Sequence, residues 1–263
     1  TRRGRESGKG EVVFPGNSRM RKAAILIVLV FFIVAVGAVW LAGSSLTAPV
    51  PAAVGACPSD LRCETVEILS DSGSRLKAWF FAGEEGKGAV VIMHGLRSNR
   101  LALVERIRFL RKAGFSVLAF DFQGSGESPG SALTFGHLES RDATATLSFI
   151  KQRLPNEKVG VLGISMGGAA YLLQKDVANA DSLILEMVYP EFRKAVDNRL
   201  NLWLFSGADA ITPIFVSQLP VRLGFSADEL RPITGLETFR GSLLVIAGES
   251  DVHTTLAESR QLF

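Results

Sequence analysis

Three hydropathy patterns follow one another along the chain, and each predicts a different kind of element. From Ala23 to Ala42 no position is charged and almost all are apolar (AAILIVLVFFIVAVGAVWLA). About 20 such residues, wound as a helix, match the hydrocarbon thickness of a bilayer. A helix in a soluble core keeps one polar face, and this stretch has none, so it reads as a transmembrane segment spanning residues 20–43. The next stretch, Gly43 to Pro58 (GSSLTAPVPAAVGACP), mixes Ser, Ala and Pro with no periodicity. Such a composition predicts an extended tether, and we assign residues 44–63 to a linker.

The third pattern begins at Glu64. Residues 64–69 and 75–81 alternate around Asp71-Ser72-Gly73-Ser74, as an antiparallel hairpin does. Ala89–Met93, Ser116–Phe120, Asp181–Met187, Ser242–Ala247 and the stretch from Val159 are instead short apolar runs. Strands buried on both faces read this way. Between them lie helical patterns over residues 101–113, closed by Gly114, over 138–153, closed by Pro155, and over 254–263. Strand and helix in alternation predict an α/β fold with a mostly parallel sheet and helices on both faces, over residues 64–263. More than fifty residues separate Met187 from Leu243, with Phe192, Leu200, Trp203, Phe205 and Phe215 interrupted by Pro213 and Pro220. They predict a small helical cap at about 190–240, whose apolar side chains suit an acyl group and also pack on the core.

Charge adds topology. The formal balance of +3 is uneven: seven basic residues against two acids fall in the first 22 positions, and the rest is slightly negative. A body with no basic stripe offers nucleic acid no footprint. Arg19, Arg21 and Lys22 flank the N-terminal side of the apolar run, so the positive-inside rule sends the C-terminal body out of the cytoplasm. The run exceeds the ~7–15 residues of a secretory core, which favours a retained signal anchor over a cleaved peptide. Met20 stands where an initiator would, and residues 1–19 read as an upstream, non-native extension. Cys57 and Cys63, the two cysteines, are either a bridge closing a small loop or two free thiols.

The candidate chemistry centres on Gly163-Ile164-Ser165-Met166-Gly167, which is G-x-S-x-G between an apolar strand and a small-residue helix start. A serine at such a turn is lifted clear of the sheet on a strained elbow, making Ser165 the candidate nucleophile. A glycine-rich turn with an incidental serine is the plainer alternative. Nucleotide binding fits less well, because the stretch lacks the Lys-Ser/Thr of a phosphate-binding loop.

With three further blocks in the same order, the chain resembles the α/β-hydrolase superfamily. Within it, the resemblance is to membrane-anchored hydrolases grouped with monoacylglycerol-lipase-like and serine-aminopeptidase-like (S33-type) proteins. The blocks are His94-Gly95-Leu96, Asp121-Phe122-Gln123-Gly124-Ser125-Gly126-Glu127-Ser128 and Gly248-Glu249-Ser250-Asp251. The resemblance covers residues 64–263 and departs at Gln123, where such families commonly carry arginine. It implies that Ser165 attacks an acyl carbonyl while the backbone N–H groups of Leu96 and Met166 hold the oxyanion. His94, Gly95, Gly163 and Gly167 would support those loops, and Asp251 would be the acid that orients a histidine, with Glu186 as the fallback. No metal and no organic cofactor is implied.

The base is the missing member. In this fold the order is serine, acid, histidine, yet the three histidines are His94, His137 and His253. The first belongs to the oxyanion loop, the second precedes the nucleophile, and the third is two residues from Asp251. The expectation is that the catalytic histidine lies beyond Phe263, together with the last strand and helix. The sequence thus points to a membrane-tethered, outward-facing esterase-like serine hydrolase acting on a small acyl ester. An S33-type peptidase acting on short peptides and a non-catalytic anchored binding module are the alternatives.

Overall fold

The structure, a computed structural model, describes residues 18–175 and 180–263. The upstream extension expected over residues 1–19 lies, up to residue 17, outside the described residues. In chain order the strands are β1 (Val50–Pro51), β2 (Glu64–Leu69), β3 (Arg75–Phe81), β4 (Ala89–Met93), β5 (Ser116–Phe120), β6 (Ser125–Gly126), β7 (Val159–Ile164), β8 (Ser182–Glu186) and β9 (Ser242–Ile246). The α-helices are α1 (Ser18–Thr47), α2 (Val104–Lys112), α3 (Glu139–Arg153), α4 (Met166–Leu172), α5 (Phe192–Trp203), α6 (Thr212–Val216), α7 (Gln218–Leu223), α8 (Ile233–Leu236) and α9 (Leu256–Ser259).

The chain divides into two units, Thr1–Ala42 and Gly43–Phe263. The first is helical where it is described, with most of its aliphatic and aromatic side chains exposed. Among the described residues Met20–Thr47 is the one stretch of helix long and apolar enough to cross a membrane.

The second unit is built on a seven-stranded sheet of order β2-β3-β5-β4-β7-β8-β9. The β2–β3 hairpin and the β3–β5 pair are antiparallel, and every later pairing is parallel. Side-chain alternation divides the central strands between two cores. Ala89, Val91, Met93, Leu118 and Phe120 face α3 and α4. Val90, Ile92, Val117 and Ala119 face α2 with Trp79, Leu103 and Ile107. Both faces are buried, so these strands read as unbroken apolar runs. At the edge, β9 alternates instead, with Leu244 and Ile246 52% and 43% exposed, and its outer side pairs with no strand among the described residues.

The cap is the segment between β8 and β9, helices α5 to α8. Pro213 and Pro220 lie in the first turns of α6 and α7, where their missing N–H has no helical partner to lose. They start helices; they do not break them. A third apolar cluster, Phe135, Val216, Leu219, Phe225, Ala227 and Leu230, ties the cap to the body, and Leu96 packs against it.

The linker expected over residues 44–63 is not a loose tether. Gly43–Thr47 is the last turn of α1, and Gly43 lies so close to α7 that an added Cβ would fall 2.4 Å from Gln218 Oε1. Leu133 N–H donates to Thr47 O (2.8 Å), and β1 pairs in parallel with β6. Glu127 accepts from Gly55 N–H (2.8 Å), and Cys57 and Cys63 are bridged. Apart from the bridge, partners 70 or more residues away make these contacts, which is why local composition did not disclose them.

Candidate active site

The parallel strands β4, β7, β8 and β9 end on one edge of the sheet, and the loops leaving that edge carry the candidate residues. After β7 the chain turns at Ser165 with φ 49° and ψ −118°, a conformation costing a residue with a Cβ roughly 1–3 kcal/mol. The strain is held by hydrogen bonds on both sides of the residue. Ser165 N–H donates to Glu186 O (2.8 Å), and Ala169 N–H donates to Ser165 O (3.1 Å). The motif's glycines answer to space. A Cβ on Gly163 would sit 2.4 Å from Gly168 Cα, and one on Gly167 would sit 2.4 Å from Met93 O. α4 therefore starts hard against β4 and β7, with Ser165 at the rim.

The loop after β4 comes up beside it, where a Cβ on Gly95 would lie 3.6 Å from Ser165 Cβ. His94, fully buried, fixes this loop. Phe122 N–H donates to its Nε2 (3.0 Å), so Nε2 is the acceptor and the ring proton sits on Nδ1, which donates to Gly95 O (2.8 Å). Burial holds its pKa down to about 4, so the ring is neutral and its basic nitrogen is occupied. The backbone N–H groups of Leu96 and Met166 flank Ser165 and donate to no acceptor among the described residues.

The Asp121–Ser128 motif buttresses this rim from below. Buried Arg100 pairs with Asp121 and Glu127 and lies over the Trp79 ring (4.7 Å). Gln123, the residue that departs from the family pattern, is buried and donates to Ala132 O (2.6 Å) and Glu139 (2.9 Å). It closes a loop and does not reach the edge.

Asp251 sits in the turn after β9, on the same edge as Ser165 and two strands away. Met187 N–H donates to Ile246 O (3.0 Å), and Thr254 Oγ1 donates to Met187 O (3.2 Å), joining the loops after β8 and β9. One carboxylate oxygen of Asp251 accepts from His253 and Thr254 N–H (2.8 and 3.0 Å), and the other has no partner among the described residues. Glu186, the fallback acid, is corrected by pleat parity. It shares the α2 face with Ile184, where Arg106 grips both its carboxylate oxygens.

None of the three histidines presents a ring nitrogen to Ser165. His94 is committed as described, and His137 stacks on Phe225 (4.1 Å between ring centres). His253 is exposed, and its ring makes no hydrogen bond among the described residues. His137 also lines a polar, open cavity of about 590 Å³ with Ser140, Arg141 and Gln174, which includes no residue of the elbow or the oxyanion loop.

Motif reading missed three features of this edge. Arg97, Phe135 and Met187 share with Ser165 a positive φ (56°, 56° and 54°), and these four are the described non-glycine residues that do so. Tyr189, buried, donates from its hydroxyl to Phe135 O (3.0 Å). Arg97 donates from Nη1 to Ser45 O (2.9 Å), tying the oxyanion loop to the last turn of α1. Residue type gives no sign of such backbone strain, so only the fold reveals it. Beside the loop an apolar slot of about 60 Å³ runs between Leu46, Phe135, Phe192, Val216 and Leu219.

The family signature described as "Serine aminopeptidase, S33" matches residues 84–205. YqkD of Bacillus subtilis is 24% identical over 200 residues, 74% of this chain and 66% of YqkD. YfhR of Escherichia coli is 26% identical over 145 residues, so the chain spans about half to two-thirds of the length of these relatives. Among solved structures, the Pyrococcus furiosus esterase Pf2001 superposes with a TM-score of 0.64 at 22% identity, covering 82% of each chain. The Pyrococcus horikoshii acylaminoacyl peptidase superposes with a TM-score of 0.57 at 16% identity, covering 76% of this chain and 34% of that one.

Proposed function

Because the chain belongs to the α/β-hydrolase superfamily, we propose that it is a serine hydrolase that cleaves carboxylic esters through an acyl-enzyme on Ser165. We further propose that α1 is a membrane anchor that holds the catalytic unit outside the cytoplasm. The observation that carries the catalytic reading is the pair of unpartnered N–H groups, Leu96 and Met166, beside a serine held at positive φ. Two donors fixed before the reaction stabilise a developing oxyanion without reorganising. Ser165 Oγ attacks the carbonyl carbon, its proton passes to a base, and the alcohol leaves as that proton is delivered to it. Water then repeats the sequence on the acyl-enzyme.

In this reading the unpartnered oxygen of Asp251 is where the ring N–H of the base would dock. Support for an ester over a peptide comes from the apolar slot of about 60 Å³, which includes no residue of the elbow but belongs to the cluster against which Leu96 packs, and whose volume is about twice the ~30 Å³ share of one water molecule. The S33 signature and the acylaminoacyl peptidase neighbour favour the second reading, a peptidase acting on short peptides. Turnover of p-nitrophenyl acyl esters and aminoacyl anilides by the protein separates the two. The ester reading expects short-chain esters to be the better substrates by kcat/KM, and a preference for anilides overturns it.

A further inference from the structure

On the α2 face of the sheet lies a hollow that no residue of the candidate active site lines. It opens to about 600 Å³ between the last turn of α2 and the loop closed by the Cys57–Cys63 bridge. Its charged lining is Arg62, Arg108, Arg111 and Lys112, set against the single carboxylate of Asp60. α2 runs back from the end of β4 to the start of β5, and Ala82, also in the lining, follows the end of β3, which pairs there with the start of β5. The hollow therefore lies at the sheet edge opposite Ser165. Four cations gathered in one place stand out on a body whose overall charge is slightly negative.

The four cations are not equally free. Arg108 is spent: its Nε and Nη2 donate to the two oxygens of Asp60 (2.8 and 3.0 Å), and it pairs with Glu105. That grip on Asp60 and the bridge at Cys63, one residue past Arg62, hold the loop on α2, while Leu61 and both cysteines pack on the core beneath. Arg111 donates from Nη1 to Phe115 O (2.6 Å), which fixes its guanidinium and leaves its other N–H groups open. Arg62 and Lys112 are exposed and, like Arg111, have no carboxylate partner among the described residues. The carboxylate of Glu84 lies beside Gly114, past the end of α2, and does not line the hollow.

Basic side chains in a last helical turn also answer the negative end of the helix dipole, which accounts for Arg111 and Lys112. It does not account for Arg62, which comes from another part of the chain and is brought to the same hollow by the bridge and the Asp60–Arg108 pair. Residues 108, 111 and 112 share one side of α2 by their spacing of three and four. Cations from two held segments thus converge on a space within the ~300–1,000 Å³ that takes a small organic ligand. Arginine forks engage phosphate oxygens in pairs, and a lysine adds a point charge.

We infer that this hollow is a binding site for a phosphate-bearing anion of more than one charge, held by Arg62, Arg111 and Lys112. It stands apart from the hydrolase reading, because none of the three is at the Ser165 edge. A soluble phosphorylated compound and the headgroup of an acidic lipid offer the same chemistry, and the test separates the two sources.

The full chain in a neutral detergent is titrated at constant ionic strength with pyrophosphate and, separately, with dihexanoylphosphatidic acid and dihexanoylphosphatidylcholine, and binding is followed by calorimetry and by Tm. Pyrophosphate should bind saturably at one site and raise Tm. R62A and K112A should each weaken it roughly tenfold, the scale of one charge-assisted hydrogen bond, with circular dichroism unchanged. R62A/K112A should lose saturable binding, and the single variants decide the matter if the double loses structure. Arg111 is left in place because it holds Phe115 O. R260A, which removes an exposed charge outside the hollow, should bind as wild type does. If phosphatidic acid binds in this variant-sensitive way and pyrophosphate does not, the site stands and its ligand is a lipid headgroup. The inference is overturned if neither anion gives saturation or a rise in Tm, or if phosphatidylcholine binds as tightly as phosphatidic acid. It is equally overturned if R62A and K112A bind like wild type, or if R260A weakens binding as much as they do.

Discussion

The two halves of the candidate site are built differently. On the Ser165 side every constraint is rigid: the strands are buried on both faces, a Cβ on either motif glycine would meet neighbouring backbone at 2.4 Å, and His94 holds the loop from within. On the Asp251 side the supporting strand is the sheet edge, Leu244 and Ile246 are exposed, and one carboxylate oxygen is unpartnered among the described residues. The difference teaches that the geometry around Ser165 is set without Asp251, whose own side of the site is held by a single edge strand. Paired substitutions break or sharpen that contrast.

The largest effect is expected at the acid. In the active protein Asp251→Asn should lower kcat by roughly 10⁴, the cost of losing the orienting carboxylate in a serine triad, or about 5 kcal/mol of barrier. Glu186→Gln should leave kcat within a few-fold, because its carboxylate is spent on Arg106 across the sheet. Steady-state kinetics of the pair checks this, and the reverse order would return Glu186 to the site.

Next comes packing. Gly167→Ala drives a methyl into Met93 O and should cost about 3 kcal/mol of stability, the upper range for overpacking a tight core. Leu244→Ala, at the exposed edge, should stay within about 0.5 kcal/mol. Denaturant midpoints in detergent report both, and equal losses would mean that the two halves are equally packed.

The pH response is smaller and has two signs. His94 has a folded pKa of about 4 against 6.5 when unfolded, so the unfolded chain binds the proton first and stability falls as pH drops below 6.5. Asp142, accepting from Ser70, Ser72 and Gln123, is pushed up to about 7 by burial. Its folded form takes a proton first, so it adds stability as pH falls through 7, and in the native protein the two oppose. Relative to wild type, His94→Gln should gain about 2 kcal/mol between pH 7.5 and 5, and Asp142→Asn should lose a similar amount. Parallel pH profiles for all three proteins would contradict the neutral, buried state of His94.

The sequence made the sheet legible because strands buried on both faces leave unbroken apolar runs, and Val159–Ile164 ends where the glycine pattern begins. It misjudged residues 44–63, since Ser, Ala and Pro reveal nothing of the pairing of β1 with β6 or of Thr47 with Leu133. Glu186 was a matter of parity: two residues after Ile184, it had to share that residue's face. The strain at Arg97 and Met187 left no mark in residue type at all, because backbone dihedrals there are set by neighbours distant in sequence.

The most direct test of the central claim, that Ser165 is a nucleophile, is covalent labelling. The protein is treated with a fluorophosphonate probe, digested and read by mass spectrometry. The account predicts one adduct, on the peptide carrying Ser165, together with loss of labelling and a fall of roughly six orders of magnitude in turnover in Ser165→Ala, about 8 kcal/mol. An adduct on another serine, or a Ser165→Ala protein that keeps its turnover, would contradict it.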